Sequence, residues 1–169
     1  ISACLVGSEM CIRDRVQVIT GGWNNRSDWN EFWNETKTMY SWVRNNIEYR
    51  SDGLFPSLPN EPSGSVEYSQ SMWQFSNETL NLKQGDCEDQ AILLCSMIVC
   101  YSKEPWAEVV GISNFSISHA AVQVPVAGDK IVILDPAGNY YSRDPLGNIV
   151  ADDISSEINR WLDHCKSSM

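Results

Sequence analysis

Histidine is scarce in this chain, with two among 169 residues, His119 and His164. Cations are also few: twelve Lys and Arg stand against twenty-two Asp and Glu, leaving a formal net charge of -10. A surface of that sign repels phosphate backbones and argues against a nucleic-acid partner. The acidity is spread along the chain and reads as a solvated surface rather than as a substrate clue. Long apolar runs are missing too. The longest candidate, residues 91–99, is about half of the roughly 20 residues that a membrane-spanning helix needs, so no such span is expected. None of the six cysteines, Cys4, Cys11, Cys87, Cys95, Cys100 and Cys165, sits in a Cys-x-x-Cys pair or near a His at ligand spacing, and a zinc site is not expected. Cys87, Cys95 and Cys100 share one expected helix at spacings that put them on different turns or faces, where disulfide geometry is poor.

What the chain does have is apolar mass. Apolar residues make up 43% of it, with seven Trp, six Tyr and four Phe, enough to bury one sizeable core and to exclude general disorder. Asn-x-Ser/Thr sites at Asn25, Asn34, Asn77 and Asn114 lean toward a secretory route, while the cysteine pattern leans toward a reducing compartment. Together they leave the localisation open. The first fifteen residues, ISACLVGSEMCIRDR, resemble a translated sequencing adapter of the kind found in environmental DNA. The expectation is a non-native segment over 1–15 followed by a single domain over 16–169.

From Ser27 the apolar positions Trp29, Trp33, Thr36, Tyr40, Val43 and Ile47 recur at spacings of four and three, with Phe32 beside them, which predicts a core-facing helix. Asp28 followed by Glu31 marks its start, and its end is expected near Asn46. Residues 51–72 carry Gly53, Pro56, Pro59, Pro62 and Gly64 without periodicity and read as a long loop, of the kind that forms the rim of a site. Near the C-terminus a helix is expected with Ile154, Ile158, Trp161 and Cys165 as its apolar face and His164 on the surface.

Gly85 interrupts the chain just before Asp86-Cys87, after which Ala91, Leu94, Cys95 and Ile98 share one helical face. Cys87 is thus expected in the first turn of a buried helix. A thiol there feels the positive end of the helix dipole and unpaired backbone N–H groups, which favour thiolate and can donate to a substrate oxyanion. Asp86, Glu88 and Asp89 oppose a further negative charge, so a base is required. His119 begins an alternating stretch, and a second apolar run, Ile131 to Leu134, ends at Asp135; together they predict a β-hairpin with His near its start and Asp at its end. An imidazole oriented by a carboxylate is what a nucleophilic thiol needs. Taken singly, each residue also fits a bland role: a packing cysteine, a satisfied core histidine and a strand-ending Asp-Pro turn.

Gly85-Asp86-Cys87-Glu88-Asp89, His119-Ala120-Ala121-Val122 and Asp135-Pro136-Ala137-Gly138 together resemble the three-part signature of the microbial transglutaminase-like superfamily. Segments around Trp42 to Tyr49 and Trp73 to Leu80 resemble it too. The resemblance implies an α+β, papain-like fold, with N-terminal helices and the Cys-bearing helix packed on an antiparallel sheet that contains residues 106–112, 117–125 and 131–135. It implies Cys87 as nucleophile, His119 as general base and acid, and Asp135 as orienting carboxylate. Crosslinking animal transglutaminases have Gln before and Trp after the cysteine, where this chain has Asp86 and Glu88, which favours hydrolysis of an amide or isopeptide bond in a protein or peptide substrate. A crosslinking acyltransferase, a non-catalytic scaffold of the same fold and an arylamine acetyltransferase are the alternatives, the last being a family of longer chains. One oxyanion donor is expected to be the Cys87 backbone N–H, with Trp73, Asn81 and Gln84 as side-chain candidates. No cofactor is expected, and no metal, since no calcium-loop pattern is present.

Strand parity adds a condition. Odd positions Ile117, His119, Ala121 and Gln123 share one face and Ala120, Val122 and Val124 the other, apolar, face. His119 and Asp135 can meet only if the hairpin loop has an odd number of residues, such as Ala127-Gly128-Asp129; a two-residue Gly128-Asp129 turn would put them on opposite faces.

Overall fold

The computed structural model describes residues 12–57, 59, 64–69, 72–113 and 118–168. Of the adapter-like segment, residues 1–11 lie outside the described residues. Residues 12–20 form helix α1, from which Ile12 and Val16 reach the main core. Asp28 caps α2 (Trp29–Asn46), its carboxylate accepting the N–H groups of Asn30 and Glu31 as the sequence predicts. The Glu31 carboxylate turns outward and accepts the N–H groups of Asn24 and Asn25. The buried face of α2 is Phe32, Thr36, Met39, Tyr40 and Val43, rotated from the expected one. Trp29 remains half exposed, because it meets Trp23 edge-on and Trp106 at the rim of an aromatic cluster whose centre is Phe32.

Strand β1 (Glu48–Tyr49) leaves α2 and runs parallel to β4 (Gln84–Gly85), with Tyr49 opposite Gly85. The stretch expected to be loop instead holds an antiparallel pair, β2 (Phe55–Ser57) and β3 (Glu67–Ser69), with Pro56 opposite Tyr68. Three-residue strands, one with a proline, are too short to show alternation, so pattern reading misses them. Helix α3 (Ser76–Leu82) ends at Lys83 in the left-handed conformation, and β4 then delivers the chain to α4 (Cys87–Ser102).

Helix α4 is the axis of the core. Ala91, Leu93, Leu94, Met97 and Ile98 have no accessible surface, and burying each larger side chain stabilises the fold by about 1.5–3 kcal/mol. The helix packs between α2 and the sheet. Among the described residues that sheet has the order β5 (Glu108–Ser113), β6 (Ser118–Val126), β7 (Lys130–Asp135) and β8 (Tyr140–Tyr141), and β9 (Asp152–Asp153) also pairs with β7. The expected antiparallel sheet over three segments is thus present, with two short strands added on the far edge of β7. Residue 117, assigned to the first strand from sequence, lies outside the described residues.

The β6–β7 register pairs Val126 with Lys130, so the loop is Ala127-Gly128-Asp129, the odd-numbered alternative. Gly128 and Asp129 both have positive φ, 82° and 55°, and a Gly and an Asp tolerate that geometry best. Even positions Ala120, Val122, Val124, Val132 and Leu134 face the main core; odd positions Ala121, Ile131 and Ile133 face a smaller cluster with Trp161 and Cys165. That second cluster is covered by helix α5 (Ile154–Ser168).

The inward face of α5 differs from the expected one. Glu157, Trp161 and Cys165 are buried, whereas Ile154 and Ile158 are 40% and 36% exposed. A charged residue displaces the isoleucines because partners await it: the Glu157 carboxylate accepts hydrogen bonds from Tyr140 Oη at 2.5 Å, Ser142 Oγ at 2.6 Å and Arg160 Nη1 at 2.5 Å. His164, expected on the surface, is half-buried: its Nε2 is 2.7 Å from the Gly138 carbonyl and its ring lies 5.2 Å from that of Tyr140.

Candidate active site

Asp86 caps α4 and its carboxylate accepts the N–H groups of Glu88 at 3.0 Å and Asp89 at 3.3 Å. Asp89 reciprocates by accepting the Asp86 N–H, which closes a capping box. The turn before it requires a glycine. A Cβ on Gly85 would stand 2.6 Å from Asp89 Cβ, so the chain can approach α4 this closely only without a side chain. Cys87 is consequently the first helical residue, buried with 8% exposure, at the positive end of the most deeply buried helix. Its N–H is not among the groups that the cap carboxylate takes, so it keeps one of the orphan donors of a helix start.

Burial raises the Asp86 carboxyl above its usual range, against the N–H bonds it accepts. Burial likewise pushes Asp89 to about 6, partly offset by the Gln74 N–H at 2.7 Å. The acidic flank of Cys87 thus carries less charge below neutrality than its composition suggests.

The sheet brings the other two candidates to the same place. His119 Nε2 lies 2.7 Å from Asp135 Oδ2, so the two side chains meet on the odd face as the parity condition requires. With Nε2 turned to Asp135, Nδ1 is the nitrogen left for Cys87, whose side chain acts on the charge of the ring. Burial tends to strip the imidazole of its proton. Hydrogen bonds and charge from Asp135 and Cys87 outweigh that effect and push His119 up to about 10. The ring is cationic at neutral pH, and its side chain is 18% exposed.

Asp135 has no accessible surface, and its carboxylate is fully engaged. Oδ1 accepts the Gly138 N–H at 2.7 Å; Oδ2 accepts the Trp161 indole N–H at 2.9 Å besides meeting His119. Charge-assisted hydrogen bonds of this kind make burial of an anion affordable. The Asp135-Pro136-Ala137-Gly138 turn closes so tightly that a Cβ on Gly138 would overlap Oδ2 and stand 2.8 Å from Cγ.

Trp161 and Cys165 were not singled out as site residues from sequence. They sit on α5 at positions i and i+4, together with His164, and the conjunction of Trp, His and Cys on one helical face was the available signal. His119, Asp135 and Cys165 present donor atoms within 4.8 Å of one another, the set of described residues with the chemistry to hold a metal ion. The Asp135 oxygens already face three donors within the protein. Of the side-chain oxyanion candidates, Trp73 is 72% exposed and Asn81 is also exposed, while Gln84 sits beside Gly85 with its carbonyl oxygen held by Arg50 Nη1 at 2.7 Å.

Among the described cysteines, Cys87, Cys95 and Cys165 are free. Cys95 and Cys100, expected to be buried, are half-buried, since the fully buried apolar positions of α4 are instead Ala91, Leu93, Leu94, Met97 and Ile98. Burial pushes the Cys95 thiol up to about 11, with Glu108 adding to it, and Cys95 Sγ donates to the Ala107 carbonyl at 3.3 Å. Cys165 is pushed to about 11 as well, by burial and then by the Asp135 charge. Both are neutral thiols near pH 7.

The family model of the transglutaminase-like domain matches residues 26–143, a span that includes Cys87, His119 and Asp135. The chain belongs to the transglutaminase-like family. No curated protein matches the chain in sequence. Solved structures similar to this transglutaminase-like domain include a candidate cysteine protease from Cytophaga hutchinsonii, 20% identical, with a TM-score of 0.47 over 85% of this chain and 41% of that one. The chain therefore spans about two-fifths of the length of that protein. Legionella pneumophila LapG is 16% identical with a TM-score of 0.46, covering 93% of this chain and 97% of its own, and its EGTA-treated form is 14% identical with a TM-score of 0.47. No described helix of the domain is long and apolar enough to cross a membrane.

Proposed function

We propose that this transglutaminase-like domain is a cysteine hydrolase that cleaves an amide or isopeptide bond of a protein or peptide substrate through a thioester on Cys87. The observation that carries the reading is the His119 imidazole held 2.7 Å from a fully engaged, buried Asp135, with the Cys87 side chain acting on the charge of the same ring. The thiol is the nucleophile, placed at the positive end of α4 beside a cationic imidazole.

In the first half-reaction Cys87 Sγ attacks the carbonyl carbon, and the carbonyl oxygen becomes an oxyanion met by the Cys87 backbone N–H. His119 then gives its proton to the departing amine, and the C–N bond breaks to leave a thioester. In the second half His119, now neutral, takes a proton from water, whose oxygen attacks the thioester, and the thiolate leaves. Asp135 keeps the ring oriented throughout and stabilises its cationic form. Asp86 and Glu88, in place of the Gln and Trp of crosslinking enzymes, favour water over an amine as acceptor in this reading.

Selective alkylation tests it. Substoichiometric iodoacetamide near pH 7 is expected to modify Cys87 ahead of Cys95 and Cys165, whose thiols are neutral at that pH, as read by mass spectrometry of the digested protein. Equal or slower labelling of Cys87 relative to those two sinks the proposal and leaves a packing cysteine.

A further inference from the structure

We infer that Trp161, on a helix beyond the family-matched residues, is a positioning residue of the site: its indole N–H holds Asp135 Oδ2 where His119 needs it. The inference rests on the hydrolase reading above. A buried indole N–H usually finds an acceptor, although that of Trp23 has none among the described residues. For Trp161 the acceptor is the oxygen that His119 itself uses, at 2.9 Å from Trp161 Nε1 and 2.7 Å from His119 Nε2. Trp161 is 2% exposed, and its ring lies 6.2 Å from the imidazole, so it also shuts water away from that side of the His119–Asp135 pair.

The helix that carries Trp161 is fastened on both sides of it. One turn before, Glu157 binds Tyr140 and Ser142, which flank the end of β8; one turn after, His164 binds the Gly138 carbonyl in the Asp135 turn. Residues 157, 161 and 164 lie on one helical face, so the three attachments set the rotation of α5 and with it the indole direction. A carboxylate can rotate about its Cβ–Cγ bond. Gly138 N–H fixes Oδ1, and a donor on Oδ2 removes that freedom, so Oδ2 remains in line with His119 Nε2. The Trp161 bond transfers no proton and reaches no substrate; it acts through Asp135.

Trp161→Phe keeps most of the buried ring and deletes the donor. In the folded variant, alkylation of Cys87 by iodoacetamide at pH 7 is expected to slow about tenfold, the scale of a lost hydrogen bond to a charged group. A core residue could lower stability without moving a pH profile, so the profile is the deciding readout. Among the described residues, the charged and titratable groups around His119 are Cys87 and Asp86 from the α4 start, Asp135 from β7, Cys165 from α5 and Tyr49 from β1, which senses Cys87, Asp86 and Asp135. The pH at which iodoacetate loses its advantage over iodoacetamide, which reports the His119 charge, is expected to fall below the wild-type value in Trp161→Phe. Unchanged rate and unchanged midpoint overturn the inference. Wild-type protein without selective Cys87 labelling overturns the parent reading instead.

If Trp161→Phe does not fold, the native chain answers. In protein labelled with 15N-tryptophan, the Trp161 indole proton is expected to resonate downfield and to shift in Asp135→Asn. An indole resonance that ignores that change overturns the inference.

Discussion

Cys87→Ser is expected to abolish acyl-enzyme formation, with a loss of at least about a thousandfold, while circular dichroism and the urea midpoint remain near wild type. The size follows from the chemistry. An alcohol is far less acidic than a thiol, and the imidazole beside it, pushed up to about 10, is already protonated and cannot serve as its base at neutral pH. The small stability effect follows from position: Cys87 is the first residue of α4, with its neighbours Asp86 and Asp89 carrying the cap, and oxygen replaces sulfur without adding volume. Trapping with a thioester-forming acyl donor and intact-mass measurement checks the loss. A Ser variant that acylates at the wild-type rate removes Cys87 from the mechanism.

Gly138→Ala is expected to be nearly as severe although it touches neither the thiol nor the imidazole. Gly138 does not have a positive φ, so alanine suits the backbone. The obstacle is steric, because the added Cβ would overlap Asp135 Oδ2 and approach Cγ at 2.8 Å. Either the carboxylate shifts or the turn opens, and each separates Oδ2 from His119. Displacements on the order of 1 Å in such an array cost about a hundredfold in rate, so Cys87 alkylation at pH 7 is expected to slow on that scale. Overpacking should also cost about 1–3 kcal/mol of stability, read from the urea midpoint. Wild-type reactivity in a folded Gly138→Ala protein contradicts the role given to Asp135.

Much of the site was legible because it follows from short-range rules. Gly85 before Asp86-Cys87 marks a helix start, and the capping box there involves residues three apart. Strand parity between residues 118 and 135 reduced the meeting of His119 and Asp135 to one question, the loop length, and turn chemistry alone favoured the wrong answer. What was not legible depends on partners distant in sequence. Glu157 is buried rather than Ile154 or Ile158 because Tyr140 and Ser142 present hydroxyls to it. Trp161 and His164 read as core and surface until β7 and the turn after it supply Asp135 Oδ2 and the Gly138 carbonyl. Trp29 fits the helical period of α2 yet stays half exposed, since the core is centred on Phe32 and Met39. The β2–β3 pair has strands too short to carry a period.

The central claim is that a positively charged His119 stands beside the reacting sulfur of Cys87, and the pH dependence of a charge-sensing reagent tests it most directly. His119 is raised to about 10 from the ordinary imidazole value near 6.5. Its positive charge is therefore complete below that ordinary value, still present at neutrality, and lost as pH rises through about 10. Iodoacetate is anionic and iodoacetamide neutral, so the ratio of their rates with Cys87 follows the charge beside the sulfur. Tyrosines and lysines also titrate near pH 10, and a His119→Asn protein supplies their background. The account predicts a ratio that is high at pH 7 and falls through about pH 10 in the wild type, with a low ratio and no comparable fall in His119→Asn. The same ratio in both proteins at every pH would contradict it.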